Sequence, residues 1–435
     1  MAQFKAYPKY KDSDVEWLGE VPEHWETVRT KYIFDYRQEF ALENDEIITA
    51  FRDGQVTLRK NRRTDGFTNS LKEHGYQHIH KGDLVIHEMD AFAGAIGVSD
   101  SSGKSTPVYT VCFSKNNQIN HYFYADFFRV MARVGFINSL AKGIRVRSTE
   151  FRWHTSRNVY LVFLPLSEQT QIANYLDKET AKIDTLIAKQ EKLIELLEEQ
   201  RKSIISHVVT KGLDPNAPMK NSGIEWLGEV PAHWGLKPIK HFSKINRLSL
   251  TENTNLFLEI DYVDIGSVSL NKGIEKVEKF LFKDAPSRAR RIIKNHDIII
   301  STVRTYLKAI AYIENPSKNL VCSTGFAVIT PIKSIINPFY TKYAFLSDQF
   351  ITEVIVKSKG ISYPAITSSE LADIKIPLPS ISEQNQIASY LDKETGKIDA
   401  MIEKQNLLIE KLKEYRASVI SHAVTGKIDV RELVA

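Results

Sequence analysis

The sequence predicts an α+β protein: two globular α/β domains separated by two long helices that form an antiparallel coiled coil, with an internal pseudo-two-fold. Three observations predict it. The stretch "SEQTQIANYLDKETAKIDTLIAKQEKLIELLEEQRKSIISHVVT" from Ser167 returns as "SEQNQIASYLDKETGKIDAMIEKQNLLIEKLKEYRASVISHAVT" from Ser382, an offset of 215 residues. A short motif, "EWLGEVPEHW" from Glu16, returns as "EWLGEVPAHW" from Glu225, an offset of 209. The segments between motif and helix are distant copies of one another. The sequence therefore divides into a first globular domain with its motif (1–166), a first helical region (167–213), a linker with the second domain (214–381) and a second helical region (382–435).

The helical regions come first because their period is clearest. Ile183, Gln190, Leu197 and Ile204 recur every seven residues, with Leu186 and Ile187, then Leu193 and Ile194, three and four places on. The second copy repeats this with Ile398, Gln405, Leu412 and Val419, and with Met401, Ile402, Leu408 and Ile409. A heptad seam with so wide an apolar stripe suits a long helix packed on more than one neighbour. At 1.5 Å per residue each helix is roughly 60 Å long. Ile183, Ile187, Gln190, Ile194, Leu197 and Ile204, with Ile398, Ile402, Gln405, Ile409, Leu412 and Val419, form the expected seam and partner-docking surface. A buried amide at Gln190 or Gln405 would fix register. Glu168 and Glu383 suit the positive ends of the helix dipoles, and Pro165 and Pro379 stop any strand from running on. The stripe could equally serve an intramolecular core alone, leaving the helices as spacers.

The globular segments are rich in short β-like runs broken by Gly, Pro and Asn. "KGDLVIHEMDAFAGAIGV" from Lys81 aligns with "NHDIIISTVRTYLKAIAY" from Asn295, "STPVYTV" from Ser105 with "STGFAVI" from Ser323, and "AKGIRVR" from Ala141 with "SKGISYP" from Ser358. The framework recurs and the tips differ. His87-Glu88-Met89-Asp90 stands against Ser301-Thr302-Val303-Arg304, and Arg145-Val146-Arg147 against Ser362-Tyr363-Pro364. Cations gather in the same loops. The first domain has Arg59, Lys60, Arg62 and Arg63, then Lys142, Arg145 and Arg147. The second has Arg288, Arg290, Arg291 and Lys294, then Arg304, Tyr306 and Lys308, then Lys357, Lys359 and Tyr363. Lys and Arg mixed with Tyr, Ser and Asn suit phosphates and base edges. Any one charge run is also an ordinary solvated face. The candidate contacts to double-stranded DNA are these clusters with His87, Met89, Asp90, Tyr109 and Ser362.

Composition narrows the class. The chain has 435 residues, 43 % of them hydrophobic, enough for two or three domains with sizeable cores. Its two cysteines, Cys112 and Cys322, form no CxxC pair, which argues against a zinc ribbon or disulfide scaffold and for a reducing cytoplasm. No signal-peptide layout opens the sequence and no run approaches the ~18 apolar residues of a membrane span. The formal charge of +5 permits a polyanionic partner without demanding one. Enzyme motifs fail on inspection. "GKST" at Gly103 lacks the earlier glycine of a phosphate-binding loop, since Val98 stands there. "NPFY" at Asn337 lacks the second proline of an adenine methyltransferase motif and reads as a turn before a helix over "FYTKYAFLSDQF". His24 and His233, beside Trp25 and Trp234, read as packed, hydrogen-bonded histidines. No catalytic residue, metal ligand or bound cofactor is expected on this chain.

On "EWLGEVPxHW", "LPLSEQTQIANYLDKETAKID" and its second copy, "GDLVIHEMDAFAGAIGV" and "STVRTYLKAIAY…VCSTGFAVITP", the chain resembles, over essentially its whole length, the specificity (HsdS-type) subunits of Type I restriction-modification enzymes. The resemblance implies two target-recognition domains, each reading one half of a split, asymmetric DNA sequence. It implies helices that dock two methyltransferase subunits. Adenine-N6 methylation and ATP-driven cleavage, with S-adenosylmethionine, ATP and Mg, would belong to partner subunits, restriction/translocase subunits among them. The base-reading residues above come from the diverged loops, not from the resemblance. A stand-alone bipartite DNA-binding protein and a coiled-coil adaptor remain the other classes that fit the same residues.

Overall fold

A computed structural model describes residues 5–62, 74–140 and 151–433. The chain folds into two compact units, one of Met1–Gln190 with Leu407–Ala435, the other of Glu191–Asn406. The boundaries cut across both long helices, Leu166–Lys211 and Ile381–Val424. Burial explains why. Ile172, Ala173 and Leu176 of the first helix share a core with Val419, Ile420 and Ala423 of the second, together with Trp25 and Phe123. In the other unit Ile205, Val208 and Val209 share a core with Ile387, Ala388 and Leu391, together with Trp234 and Tyr340. Each unit thus buries the start of one long helix against the end of the other, which makes the pairing antiparallel. Arg416 clamps Asp184 in the first unit (2.9 Å) and Arg201 meets Asp399 in the second (3.3 Å).

Both units are built on the same four-stranded antiparallel sheet. Its order is Phe34–Tyr36, Tyr109–Ser114, Leu84–His87, Ile96–Val98 in the first unit. In the second it is Ser243–Ile245, Phe326–Pro331, Ile298–Ser301, Ile310–Tyr312. The central strands are apolar on both faces because both faces are covered. Leu84 and Ile86 enter the main core while Val85 enters a smaller one. Ile298 and Ile300 likewise oppose Ile299. The period of two sorts alternate residues to opposite sides. The aspartate before each run is buried and holds the entering turn: Asp83 accepts the His80 N–H (2.9 Å) and Asp297 the Lys294 N–H (2.7 Å).

Strand pairing corrects one alignment. Tyr109 lies opposite His87, and Phe326 lies opposite Ser301. Tyr109 therefore corresponds to Phe326, one place from the match that aligning Ser105 with Ser323 gives. The slip matters because one residue of register exchanges the two faces of a strand. In the observed register Val111 and Val328 both face the smaller cores, and Cys112 and Ile329 the main ones.

The units diverge around that framework. The second adds a sheet of Glu278–Leu281, Glu259–Val263, Leu320–Ser323 and Ala289–Ile292, in which Glu259–Val263 and Leu320–Ser323 run parallel. In place of that sheet the first has, among its described residues, the two-stranded pairs Ile48–Ala50 with Val56–Leu58 and Gln77–Ile79 with Gly103–Ser105. "GKST" is therefore a strand, its Gly103 packed so closely on the Glu46 carbonyl that a Cβ would stand 2.4 Å from it. His121–Arg133 covers the first sheet, capped by Asn120. The helix expected over "FYTKYAFLSDQF" is two, Pro338–Leu346 and Asp348–Lys357. Asn337 caps the first, and extended Ser347 breaks the run and caps the second through the Phe350 N–H.

The repeated "HW" motif anchors the long helices. Glu168, buried at the start of the first, accepts hydrogen bonds from Tyr7 Oη (2.7 Å) and Trp25 Nε1 (3.1 Å) and pairs with His24 Nε2 (2.8 Å). Glu383, at the start of the second, accepts from Trp234 Nε1 (2.9 Å) and pairs with His233 (3.1 Å). Among the described residues no helix is long and apolar enough to cross a membrane.

Candidate nucleic-acid interface

Each central strand ends in a tip. In the first unit the tip follows Leu84–His87 and turns through the single 3-10 turn Ala91–Ala93. His87 Nδ1 accepts the Asp90 N–H (3.1 Å), which leaves the proton on Nε2. Burial pushes its pKa down, so the ring is a neutral donor near pH 7. Its ring meets Tyr109 edge-on at 4.6 Å. Tyr109 is itself buried, its hydroxyl pushed up to about 12 by desolvation; it supports the tip from beneath. Met89 is exposed, while Asp90 pairs with Arg52 (3.0 Å). Glu88 accepts the Thr110 hydroxyl (2.9 Å) and lies 3.6 Å from Arg152. His87, Tyr109 and Arg59 line one cavity of about 250 Å³ with Thr49, Phe51 and Thr106.

The remaining cations of this unit are less free than the sequence suggests. Lys60 pairs with Glu46 (2.7 Å), and Arg62 pairs with Asp53 (2.7 Å) while stacking 4.2 Å over Phe51. Arg63, Lys142, Arg145 and Arg147 lie outside the described residues.

In the second unit two loops join at the tip. Arg304 N–H donates to the Pro364 carbonyl (2.8 Å) and Ile366 N–H to the Thr302 carbonyl (2.9 Å). The Arg304 guanidinium sits 4.9 Å over the Tyr363 ring. Tyr306 and Lys308 are exposed on the same 3-10 turn, Thr305–Leu307 and its cap, and Ser362 is exposed beside Tyr363. Arg304, Tyr306, Lys308, Ser362 and Tyr363 thus form one surface. Thr324 N–H, bonded to the Arg288 carbonyl (2.8 Å), holds exposed Arg288 at the adjoining edge. Lys359 belongs to the same loop but pairs with Glu370 (2.7 Å), which pulls that carboxyl down to about 2. Lys357 pairs with Glu353 (3.1 Å), away from the tip on its own helix. Arg290 stacks over Phe282 (4.7 Å), and Arg291 is half-buried in the strand Ala289–Ile292, so neither reaches outward as Arg304 does.

Of the seam residues, Ile183, Leu197, Ile398, Ile409 and Val419 are buried, and Ile187, Gln190, Ile194, Ile204, Ile402, Gln405 and Leu412 are half-buried. Leu186, Leu193 and Leu196 on the first helix, and Met401, Leu407 and Leu408 on the second, stay exposed. Sequence reasoning missed the Arg52 partner of Asp90 and the exposed Leu307 and Ile361 beside Arg304.

Residues 232–411 match the family model described as Type I restriction modification DNA specificity domain. The chain is 25 % identical to the type I restriction enzyme MjaVIII specificity subunit of Methanocaldococcus jannaschii, over 95 % of each chain. Residues 232–411 thus carry a type I DNA specificity domain, and the chain is similar to type I specificity subunits along nearly its whole length. The chain is also 20 % identical to the type I restriction enzyme EcoBI specificity subunit of Escherichia coli, over 96 % of this chain and 89 % of that one. Its fold matches that of the HsdS subunit from Thermoanaerobacter tengcongensis, with a TM-score of 0.55 at 16 % identity over 94 % of this chain and 98 % of that one. A chain from a structure describing complex assembly and conformational transition of the type I R-M system superposes with a TM-score of 0.66 at 15 % identity, over 93 % and 98 %. Among the described residues of the chain, no group of three or more His, Cys, Asp or Glu is placed to hold a metal ion.

Proposed function

We propose that this subunit selects the DNA sequence for a type I restriction-modification complex. Each unit reads one half of a bipartite, asymmetric target through its tip. The two long helices dock two methyltransferase subunits and set the spacing of the half-sites. Methyl transfer to adenine N6 and ATP-driven cleavage, with S-adenosylmethionine, ATP and Mg, belong to those partners and to restriction/translocase subunits.

The observation that carries this reading is one sheet order with two unlike tips. The first tip carries a neutral imidazole, His87, beside the carboxylates Glu88 and Asp90, which are held by Thr110 and Arg52; the second carries the guanidinium of Arg304 beside hydroxyls. Carboxylates accept from cytosine N4, whereas a guanidinium donates to guanine O6 and N7. Two such tips on one scaffold suit two different half-sequences. The exposed leucines and methionine of the helices support docking: a lone protein would leave them in water.

Co-expression with the methyltransferase subunit tests the assembly: a stable complex that binds DNA selectively is expected, and a monodisperse lone chain that binds DNA tightly by itself would overturn it. Within that complex, Arg304→Ala should cost about 1–3 kcal/mol on the cognate duplex and relax one base position. Competition binding against single-base variants at two salt concentrations reads this out. Equal weakening on every sequence, with a shallower salt dependence, would make Arg304 a phosphate clamp instead.

A further inference from the structure

We infer that the tip of the second unit is an apolar wedge that enters a base step of the half-site it reads, while the first unit reads its half without one. The inference rests on the DNA-reading role proposed above.

The tip is strained and rigid. Arg304 (φ +51°) and Lys308 (φ +52°) both adopt the left-handed region, which is costly for side chains other than glycine. Between them lies the single turn Thr305–Leu307. Buried Thr305 donates from Oγ1 to Ser358 Oγ (2.8 Å), and Val303 pairs with Ala365 in an isolated bridge. Held from both sides, the turn presents Tyr306 (51 % exposed) and Leu307 (47 %) outward. Ile361 is fully exposed on the neighbouring loop. Large apolar groups gathered at a rigid point are unfavourable in water and call for a partner.

The charges around them identify that partner. Arg304 and Lys308 flank the turn, and neither has a carboxylate partner among the described residues. Apolar side chains rimmed by cations match a stacked, phosphate-edged ligand, in which wedges of Leu, Ile or Phe unstack adjacent base pairs while the cations take the backbone. Among its described residues the first unit lacks the device. Its positions equivalent to Tyr306 and Leu307 are Phe92 and Ala93, both half-buried. Its left-handed residue is Gly94 (φ +88°), and Asp90, at the place of Arg304, lies at φ −107°.

The test uses the complex with its methyltransferase subunits and a duplex carrying the methylated motif. 2-Aminopurine is placed at successive positions of both halves, other than the methylated adenine. Binding should raise its emission at one step in one half only. The double variant Tyr306→Ser/Leu307→Ser should abolish that rise and weaken binding roughly tenfold, with methyltransferase assembly unchanged. A wild-type complex that binds selectively without any such rise, or a double variant that keeps it, overturns the wedge and leaves the reading role standing. Loss of the methyltransferase subunits from the double variant makes the tip a protein-docking surface and also overturns it. If the wild-type complex shows no sequence-selective binding, the reading role falls and the wedge with it.

Discussion

Glu168→Ala should destabilise the first unit by about 3–5 kcal/mol, more than any truncation at the tips. The carboxylate is 5 % exposed and takes hydrogen bonds from Tyr7 and Trp25 and the contact from His24. Hydrogen bonds to a charged group contribute about 1.5–3 kcal/mol each, and they do not add fully because they share one acceptor group. Its removal leaves the Tyr7 hydroxyl and the Trp25 indole N–H as buried donors without an acceptor, since both side chains are enclosed. Arg431, 4.8 Å over the Tyr7 ring, would lose its support as well. Glu383→Ala is the internal control. Glu383 is 22 % exposed, and its partners are Trp234 and His233 alone among the described residues, so about 1–3 kcal/mol is expected. Hydrogen exchange resolves the two units: protection should fall at the start of Leu166–Lys211 in the first variant, and less, at the start of Ile381–Val424, in the second. Equal and small losses would mean that the glutamates merely neutralise helix dipoles.

Inserting one heptad into both long helices should change the gap between the half-sites while leaving each half-sequence unaltered. A heptad lengthens a helix by about 10 Å, and base pairs stack about 3.4 Å apart, so the gap should grow by at most about three base pairs. Seven residues keep the seam in phase, and insertion in both helices keeps the antiparallel partners matched. The consequence is large because a half-site moved by a base pair is also rotated about the duplex, so the old target should be lost. Sequencing the methylated motif of cells carrying the variant reads the outcome. An unchanged gap would show that something other than the helices sets it.

Much of this molecule is legible in its sequence, for physical reasons that differ by element. The long helices are legible because a heptad seam of forty residues has one reading. The histidines of "HW" read as packed, hydrogen-bonded groups; the structure shows each bound to a glutamate at the start of a long helix but exposed, the packed member of each pair being the tryptophan. The alignment of His87 to Asp90 with Ser301 to Arg304 agrees with the strand register, because an aspartate and a β-branched run pin it. Tyr109 slips by one because "STPVYTV" and "STGFAVI" share small residues outside the strand and little inside it. The break at Ser347 is hidden in an apolar run that reads equally as one helix or two. The cation clusters mislead most. Lys60, Arg62, Lys357 and Lys359 look free in sequence, yet Glu46, Asp53, Glu353 and Glu370 neutralise them, and only Lys357 meets a partner within one turn. Arg304 and Tyr363 meet across 59 residues of chain, a pairing no local pattern shows.

The division of labour between unlike tips and like helices is tested most directly by mapping N6-methyladenine across the host genome, with and without this chain and with residues 87–90 replaced. One split, asymmetric motif should be present with the chain and absent without it, and the replacement should change one half of that motif and leave the other half and the gap intact. Methylation that persists without the chain, or a motif whose two halves change together, would contradict the account.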